Sequence, residues 1–227
     1  RRAWCSRASG KRTPAILGKK FDPQGYRKGD QNRWGGDQNA GMQTEASTVR
    51  RDDRARYERE FIDAVLDEGM IAHVGLIGAD GRPVVIPMLY ARDGDRLLLH
   101  GSPATRLLRA GKRGVDVCVT VTLLDALVLA RSAFHHSLNY RSVVLFGRTT
   151  EITDGDEKVA ALDRFTEHLV PGRLAHLRSM TDKEVRGTTV VSIPIDEASA
   201  KVRTGDPIDD DEDVVGDAWA GLLPISV

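Results

Sequence analysis

The sequence predicts an α+β fold: a single domain around a closed or nearly closed, mostly antiparallel β-barrel, with helices inserted at the beginning, middle and end. Three observations predict it. Apolar runs of strand length recur along the chain, Asp-Gly turns join the first of them as hairpins, and rows of helical period interrupt the series around Tyr57, Val159 and Asp182, with a short helical start at Arg106. With 227 residues, 41% hydrophobic and 29% charged, the chain is long enough to bury a substantial core.

The elements follow in order from Ser47. Tyr57, Phe61 and Val65 recur every fourth residue, with Ile62 and Leu66 in the adjacent row, so an amphipathic helix is predicted there, ended by Gly69 at a C′ position. Met70 to Ile77 reads as a strand, and Ala79-Asp80-Gly81 turns it into a second strand, Pro83 to Tyr90, with apolar residues on both faces. Asp93-Gly94-Asp95 is a hairpin turn that returns Arg96 to His100 antiparallel beside that strand. Val115 to Thr122 is a β-branched strand with Val117, Val119 and Val121 on one face. At Leu123-Leu124-Asp125 two readings stand, a bend or a strand that runs on through Leu127 to Ala130.

Ser142 to Phe146 is the next strand, continuing toward Ile152. Asp154 with Glu157 three residues later has the form of a capping box, opening a helix whose inner row is Val159, Leu162, Phe165 and Leu169. After a Pro171-Gly172 break come a short helix around Asp182 to Val185, strands at Thr188 to Ile195 and Ala200 to Arg203, an acidic run and an apolar end from Trp219.

Charge divides the chain. Residues 1–50 hold 11 Lys/Arg against 4 Asp/Glu, or 11 − 4 = +7, and the remainder carries 22 − 29 = −7. Residues 1–46 lack an apolar period and are rich in Gly, Gln, Asn, Arg and Lys, so they are expected to be a disordered basic extension, with residues 47–227 as the domain. Nucleic-acid binding is not expected of such a tail. The longest apolar run, Val115 to Ala130, is interrupted by Asp116, Thr120, Thr122 and Asp125, which excludes a membrane-spanning helix there. Cys5 and Cys118 lie in unlike contexts, so no disulfide is expected and a cytoplasmic location follows.

Candidate chemistry concentrates between Pro83 and Arg106. Hydroxyls on Ser102 and Thr105, the guanidinium of Arg106 and the N–H groups of a helix start converge there, a donor set for a phosphate. Plain helix capping explains the same pattern, and both readings stand on local grounds. Pro87, in mid-strand, has no N–H for a ladder and marks an open edge or bulge, which leaves room for a flat ligand. His100 adjoins this region. His135 and His136 are adjacent, point to opposite faces of an extended chain and lack the spacing of a metal site, so no metal is expected. His73, isolated on a strand, reads as a core or surface histidine rather than a ligand. No Gly-x-Ser-x-Gly, Walker loop or Gly-x-Gly-x-x-Gly is present.

The run HVGLIGADGRPVVIPMLY (His73 to Tyr90), LLLHGSPATRLLR (Leu97 to Arg109), VCVTVTLLDALVLARSAFHHSLNYRSVVLFGRTTEI (Val117 to Ile152), SAKVRTG (Ser199 to Gly205) and AWAGLLP (Ala218 to Pro224) resembles the FMN-binding split-barrel proteins related to pyridoxamine 5′-phosphate oxidase, in their nitroimidazole-reductase-like branch. The resemblance covers the chain from about Thr48 onward. It implies a Greek-key split barrel, a homodimer and FMN at the subunit interface, with the ring against Pro87, Met88, Leu89 and Tyr90 and the phosphate near Ser102, Thr105 and Arg106, beside which His100 stands as a further cofactor-binding candidate. It further implies that Ser137, Asn139, Tyr140 and Arg141 approach the flavin or a small-molecule substrate, and that Trp219 covers the site from the partner. The family's Arg-x-His near the C-terminus is absent from GDAWAGLLPISV, which argues against pyridoxamine phosphate oxidation. An FMN-dependent oxidoreductase is therefore the expectation. A non-enzymatic flavin carrier or sensor is the alternative.

Overall fold

In the computed structural model, which describes residues 44–226, the chain forms β1 (Ala55–Arg56), α1 (Arg59–Glu68), β2 (Ile71–Ile77), β3 (Pro83–Asp93), β4 (Arg96–Gly101), α2 (Arg106–Gly111), β5 (Asp116–Leu129), β6 (Ser137–Arg148), β7 (Thr150–Glu151), α3 (Gly155–Leu169), α4 (Asp182–Gly187), β8 (Thr189–Pro194), β9 (Glu197–Arg203), α5 (Asp211–Val214) and β10 (Gly221–Pro224). The expectation for residues 1–43 lies outside the described residues. Thr44 already forms a turn, with its hydroxyl bonded to the Glu197 carboxylate.

All strand pairs are antiparallel, in the order β1-β9-β6-β5-β2-β3-β4-β8-β7, with β10 added to the far half of β5. The predicted Asp-Gly turns form, and Gly81 (φ 76°) and Gly94 (φ 58°) occupy the left-handed conformation they require. β3 changes partner midway. It pairs with β2 from Pro83 to Leu89 and with β4 only from Tyr90 to Asp93. Among the described residues, therefore, Pro83 to Leu89 have a strand on one edge alone. This is the split in the barrel, and Pro87 lies on it.

The barrel interior is filled by α1, whose Phe61, Ile62, Val65 and Leu66 pack with Val74, Tyr90, Leu99, Val119, Leu145 and Ile193. Each fully buried aliphatic side chain of this kind contributes roughly 1.5–3 kcal/mol. A smaller cluster lies beneath α3, where Phe165 and Ala161 cover Ala91, Leu98, Ile152 and Val190. Here β4 and β8 are buried on both faces, which accounts for their continuous apolar runs. The predicted cap of α3 is present, with Asp154 accepting from the Glu157 N–H.

Two local expectations change and one open reading is decided. Gly69 has φ −77° and is not a left-handed cap; it is small because a Cβ would come within 2.6 Å of both Tyr90 Oη and Val121 Cγ1. β5 does not bend back at Leu123 but runs to Leu129, absorbing Asp125 as a bulge between Leu124 and Ala126. β6 begins at Ser137 rather than Ser142, because Ser137 to Arg141 pair with the extended β5.

Candidate cofactor-binding site

The open edge of β3 faces the turn where the chain leaves β4. Ser102 organises that turn: its carbonyl accepts from the Thr105 N–H and hydroxyl at 3.0 Å each, and its Oγ accepts from the Ala104 N–H at 3.3 Å. Thr105 holds the N-cap position of α2 without capping it through its side chain. Leu107 and Leu108 are buried and pin the helix to the barrel, which leaves Arg106 exposed. Among the described residues Arg106 makes no hydrogen bond or ion pair. Its charge reaches Asp80, whose carboxyl is held below the ordinary range chiefly by Arg82. A free guanidinium and two hydroxyls thus stand beside an unpaired strand edge.

His100, at the end of β4, lines the neighbouring cavity. This space of about 560 Å³ lies between Leu89 and His100 on one side and Leu162, Phe165, Leu177 and Met180 on the other. The imidazole packs edge-on against Phe165 at 4.1 Å between ring centres, and its Nδ1 is enclosed without a partner. Burial pushes the His100 pKa below its usual value. The pocket is apolar on the α3 side and rimmed by the Arg178–Glu184 pair at 2.6 Å. Its lining from α3 and residues 174–180 was missed by sequence reasoning, since nothing local ties that segment to β3.

Strand alternation sorts the other candidates. Pro87 and Leu89 point to the outer surface, whereas Met88 and Tyr90 point inward. Tyr90 is fully buried and donates its hydroxyl to the Leu66 carbonyl at 2.6 Å, so its ring is part of the core and does not face a ligand. On β6, Asn139 and Arg141 also point inward. Asn139 donates to Gly205 O at 3.1 Å and accepts from Arg203 at 2.5 Å. Arg141 is engaged by Glu68 and Asp125. The expectation that Asn139 and Arg141 approach the flavin through their side chains is corrected accordingly; half-buried Tyr140 alternates to the other face. A signal was available, since residues 139 and 141 share parity with the core residues Val143 and Leu145.

The candidates fall into two groups in one chain. Pro87, Leu89, His100, Ser102, Thr105 and Arg106 gather at β3, β4 and α2. Ser137 and Tyr140 lie on β6, and Trp219, exposed and folded against Gly221, precedes β10 on β5. The sheet order puts β5 and β2 between β6 and β3, or roughly 14 Å across three strand spacings. Separately, His135, Asp210 and Asp213 bring ligand-type atoms within 4.8 Å of one another at the surface. Sequence spacing could not show this grouping. Among the described residues no helix is long and apolar enough to cross a membrane.

The chain matches the family profile described as pyridoxamine 5′-phosphate oxidase over residues 58–202. A flavocytochrome from Azotobacter vinelandii, Anf3, is 44% identical, with 81% of this chain and 86% of that chain covered at a TM-score of 0.74. A protein from Mycobacterium smegmatis described as FAD and heme binding is 41% identical, covering 76% and 84% at a TM-score of 0.71. A protein from Bacteroides thetaiotaomicron, described as a proposed 5-nitroimidazole antibiotic resistance protein, is 26% identical, covering 65% and 86% at 0.57. Comparison with curated proteins gives no significant match.

Proposed function

The chain belongs to the pyridoxamine 5′-phosphate oxidase family, and on that premise we propose that it is a flavoprotein oxidoreductase acting on a small molecule. The observation that carries the reading is the unpaired edge of β3 from Pro83 to Leu89, flanked by the uncommitted Arg106 and the hydroxyls of Ser102 and Thr105. Pro87 and Leu89 would hold a planar ring along such an edge, and Arg106 would hold its phosphate. The flavin supplies the electron or hydride chemistry, so the protein needs no acid–base dyad. FMN answers these contacts; FAD, named for the M. smegmatis relative, presents the same ring and a phosphate at the same distance from it.

The functional unit in this reading is a homodimer. Tyr140 and Trp219 lie strands away from Arg106 within one chain, so they complete the pocket only from a partner. Leu124, Leu127, Phe134 and Trp219 offer exposed apolar surface for that contact. The two relatives above 40% identity are also described by name as a flavocytochrome and as heme binding. We extend the proposal to them: the chain carries a heme beside its flavin.

The test is the visible spectrum of the purified protein, followed by heat release and chromatography of the cofactor. Flavin bands that bleach with NADH or NADPH and recover with an acceptor support the oxidoreductase. A flavin that no reductant bleaches marks a carrier or sensor, and a colourless protein that takes up neither FMN nor FAD overturns the reading. Light scattering across a dilution series tests the dimer, and a flavin-loaded monomer would sink it.

A further inference from the structure

The outer face of β9 carries positive charge that no carboxylate answers among the described residues. Ala198 and Ala200 point into the core and Val202 packs against it, so Lys201 and Arg203 stand on the opposite face. Arg203 is the register partner of Tyr140 on β6, and Lys201 that of Ser142. On its other edge β9 pairs Lys201 with Ala55 of β1, which sets Arg54, the residue before it, opposite Val202 and beside Arg203. Arg54, Lys201, Arg203 and Tyr140 therefore meet on one face.

All four are half-buried, and among the described residues none of the three cations forms an ion pair. The Arg203 guanidinium donates to the Asn139 side-chain oxygen at 2.5 Å, and among the described residues its Nε and Nη2 have no partner. Asp53, the acid next to Arg54 in the chain, is held by Arg51 through bonds of 3.0 and 3.1 Å. Burial, and then the charge of Arg54, pull the Arg203 pKa below the ordinary arginine range. An unpaired arginine on an open surface needs no explanation. Like charges drawn together and partly out of water are costly until a counter-charge arrives. The Tyr140 hydroxyl, which makes no hydrogen bond among the described residues, adds a neutral donor. Planar forks, an ammonium and a hydroxyl are a donor set for a phosphate, whereas a single carboxylate would leave most of this charge unanswered.

We propose that Arg54, Lys201 and Arg203, with the Tyr140 hydroxyl, form a second phosphate site, distinct from the one at Arg106. The sheet order puts β6, β5 and β2 between β9 and β3, so the two sites are set apart within one chain. Resting on the dimeric flavoprotein reading above, Tyr140 carries its register partner Arg203 with it to the partner's flavin. The phosphate held there belongs either to the adenylate half of FAD or to the small-molecule substrate, which is then a phosphate ester.

The experiment is a calorimetric titration of the full-length protein with inorganic phosphate, as purified and after addition of FMN, together with fluorescence titrations of each variant with FMN and FAD. The wild type is expected to bind phosphate, and Arg203→Ala and Arg54→Ala each to weaken it about tenfold or more. Arg54→Ala removes no side-chain hydrogen bond seen among the described residues, so it gives the answer should Arg203→Ala, which strips buried Asn139 of its donor, fail to fold. Arg203→Lys is expected to recover only part of the binding, because an ammonium cannot fork. Arg164→Ala, which removes an exposed arginine paired with Asp93, is expected to behave as wild type. Loss of FAD affinity with FMN affinity unchanged supports the site and assigns its phosphate to the adenylate half; both unchanged, with inorganic phosphate lost, support it and assign the phosphate to the substrate. FMN and FAD weakened alike overturn it, since the contact would then be to the group they share. A flavin-loaded wild type that binds no phosphate overturns this inference and leaves the flavoprotein reading intact, and so does phosphate binding that both alanine variants retain. Phosphate binding through these arginines in a protein unable to hold flavin upholds the site and counts against the flavin reading alone.

Discussion

Arg141 donates to Asp125 at 2.6 Å at the place where the β5–β6 ladder shifts register. Asp125 is the extra residue of the bulge, and the guanidinium that meets it also forks onto Glu68 at 2.6 and 2.8 Å, at the end of α1. Burial pulls the Arg141 pKa down, but its hydrogen bonds to Glu68 and Asp125 outweigh that and hold it above the ordinary arginine range. The cluster ties the plug helix to the bulged strand. Arg141→Ala leaves Asp125 enclosed without a counter-charge and is expected to cost about 3–5 kcal/mol in urea unfolding. Arg141→Lys is expected to recover only part of this, because an ammonium cannot fork onto two carboxylates. A loss below about 1 kcal/mol, the level of a surface ion pair, would show that the cluster does not hold the bulge.

Arg106→Ala addresses the phosphate contact. The residue is exposed and unpaired among the described residues, so the flavin-free protein should melt unchanged, while flavin affinity falls about tenfold or more for a charge-assisted bond worth about 1.5–3 kcal/mol. Fluorescence titration with FMN and FAD measures this. Equal affinity in the variant would remove Arg106 from the site.

Two glycines form a matched pair. A Cβ at Gly147 would come within 2.7 Å of Ile193 Cγ2 and 3.2 Å of the Pro194 carbonyl, in a tightly filled part of the sheet. Gly147→Ala should therefore destabilise by roughly 1–3 kcal/mol. At Gly155, the first residue of α3, nothing lies within 4 Å of the added carbon, and alanine there should be neutral or mildly stabilising. Thermal melts that rank the two the other way would contradict the packing described.

His100 sets a pH dependence. Burial lowers its pKa in the folded chain, so between that value and the unfolded value near 6.5 the unfolded state binds more protons. Stability should rise with pH through this window and fall on acidification below about 6.5. His100→Phe removes the titrating group and should flatten that limb of a plot of melting temperature against pH. An unchanged slope would assign the dependence to other groups.

Much of this fold was legible before the structure because it rests on local chemistry. Asp154 and Glu157 mark the start of α3, and Gly81 and Gly94 mark hairpins, since capping and left-handed turns involve neighbours in sequence. The phosphate-side candidates Ser102, Thr105 and Arg106 do lie together, for the same reason. What stayed hidden depends on distant partners. Whether β5 continues past Asp125 is decided by Arg141 and Glu68, and which side of β6 carries Asn139 is decided by its ladder with β5 and β9. Gly69 looked like a cap because it follows a helix. Its actual constraint, the approach of Tyr90 and Val121, comes from two other strands.

The change of partner along β3 carries a hazard as well as a site. An unpaired edge between Pro83 and Leu89, with Val85 and Leu89 exposed, is a template onto which another extended chain can add, the first step of sheet aggregation. Pro87 works against this, for it offers no N–H to an incoming strand and sits in the middle of the exposed row. A bound ring along that edge would protect it further. Pro87→Val should then leave the loaded protein soluble while making the cofactor-free form precipitate sooner, so the same residue that opens the barrel for a ligand also keeps the barrel from polymerising.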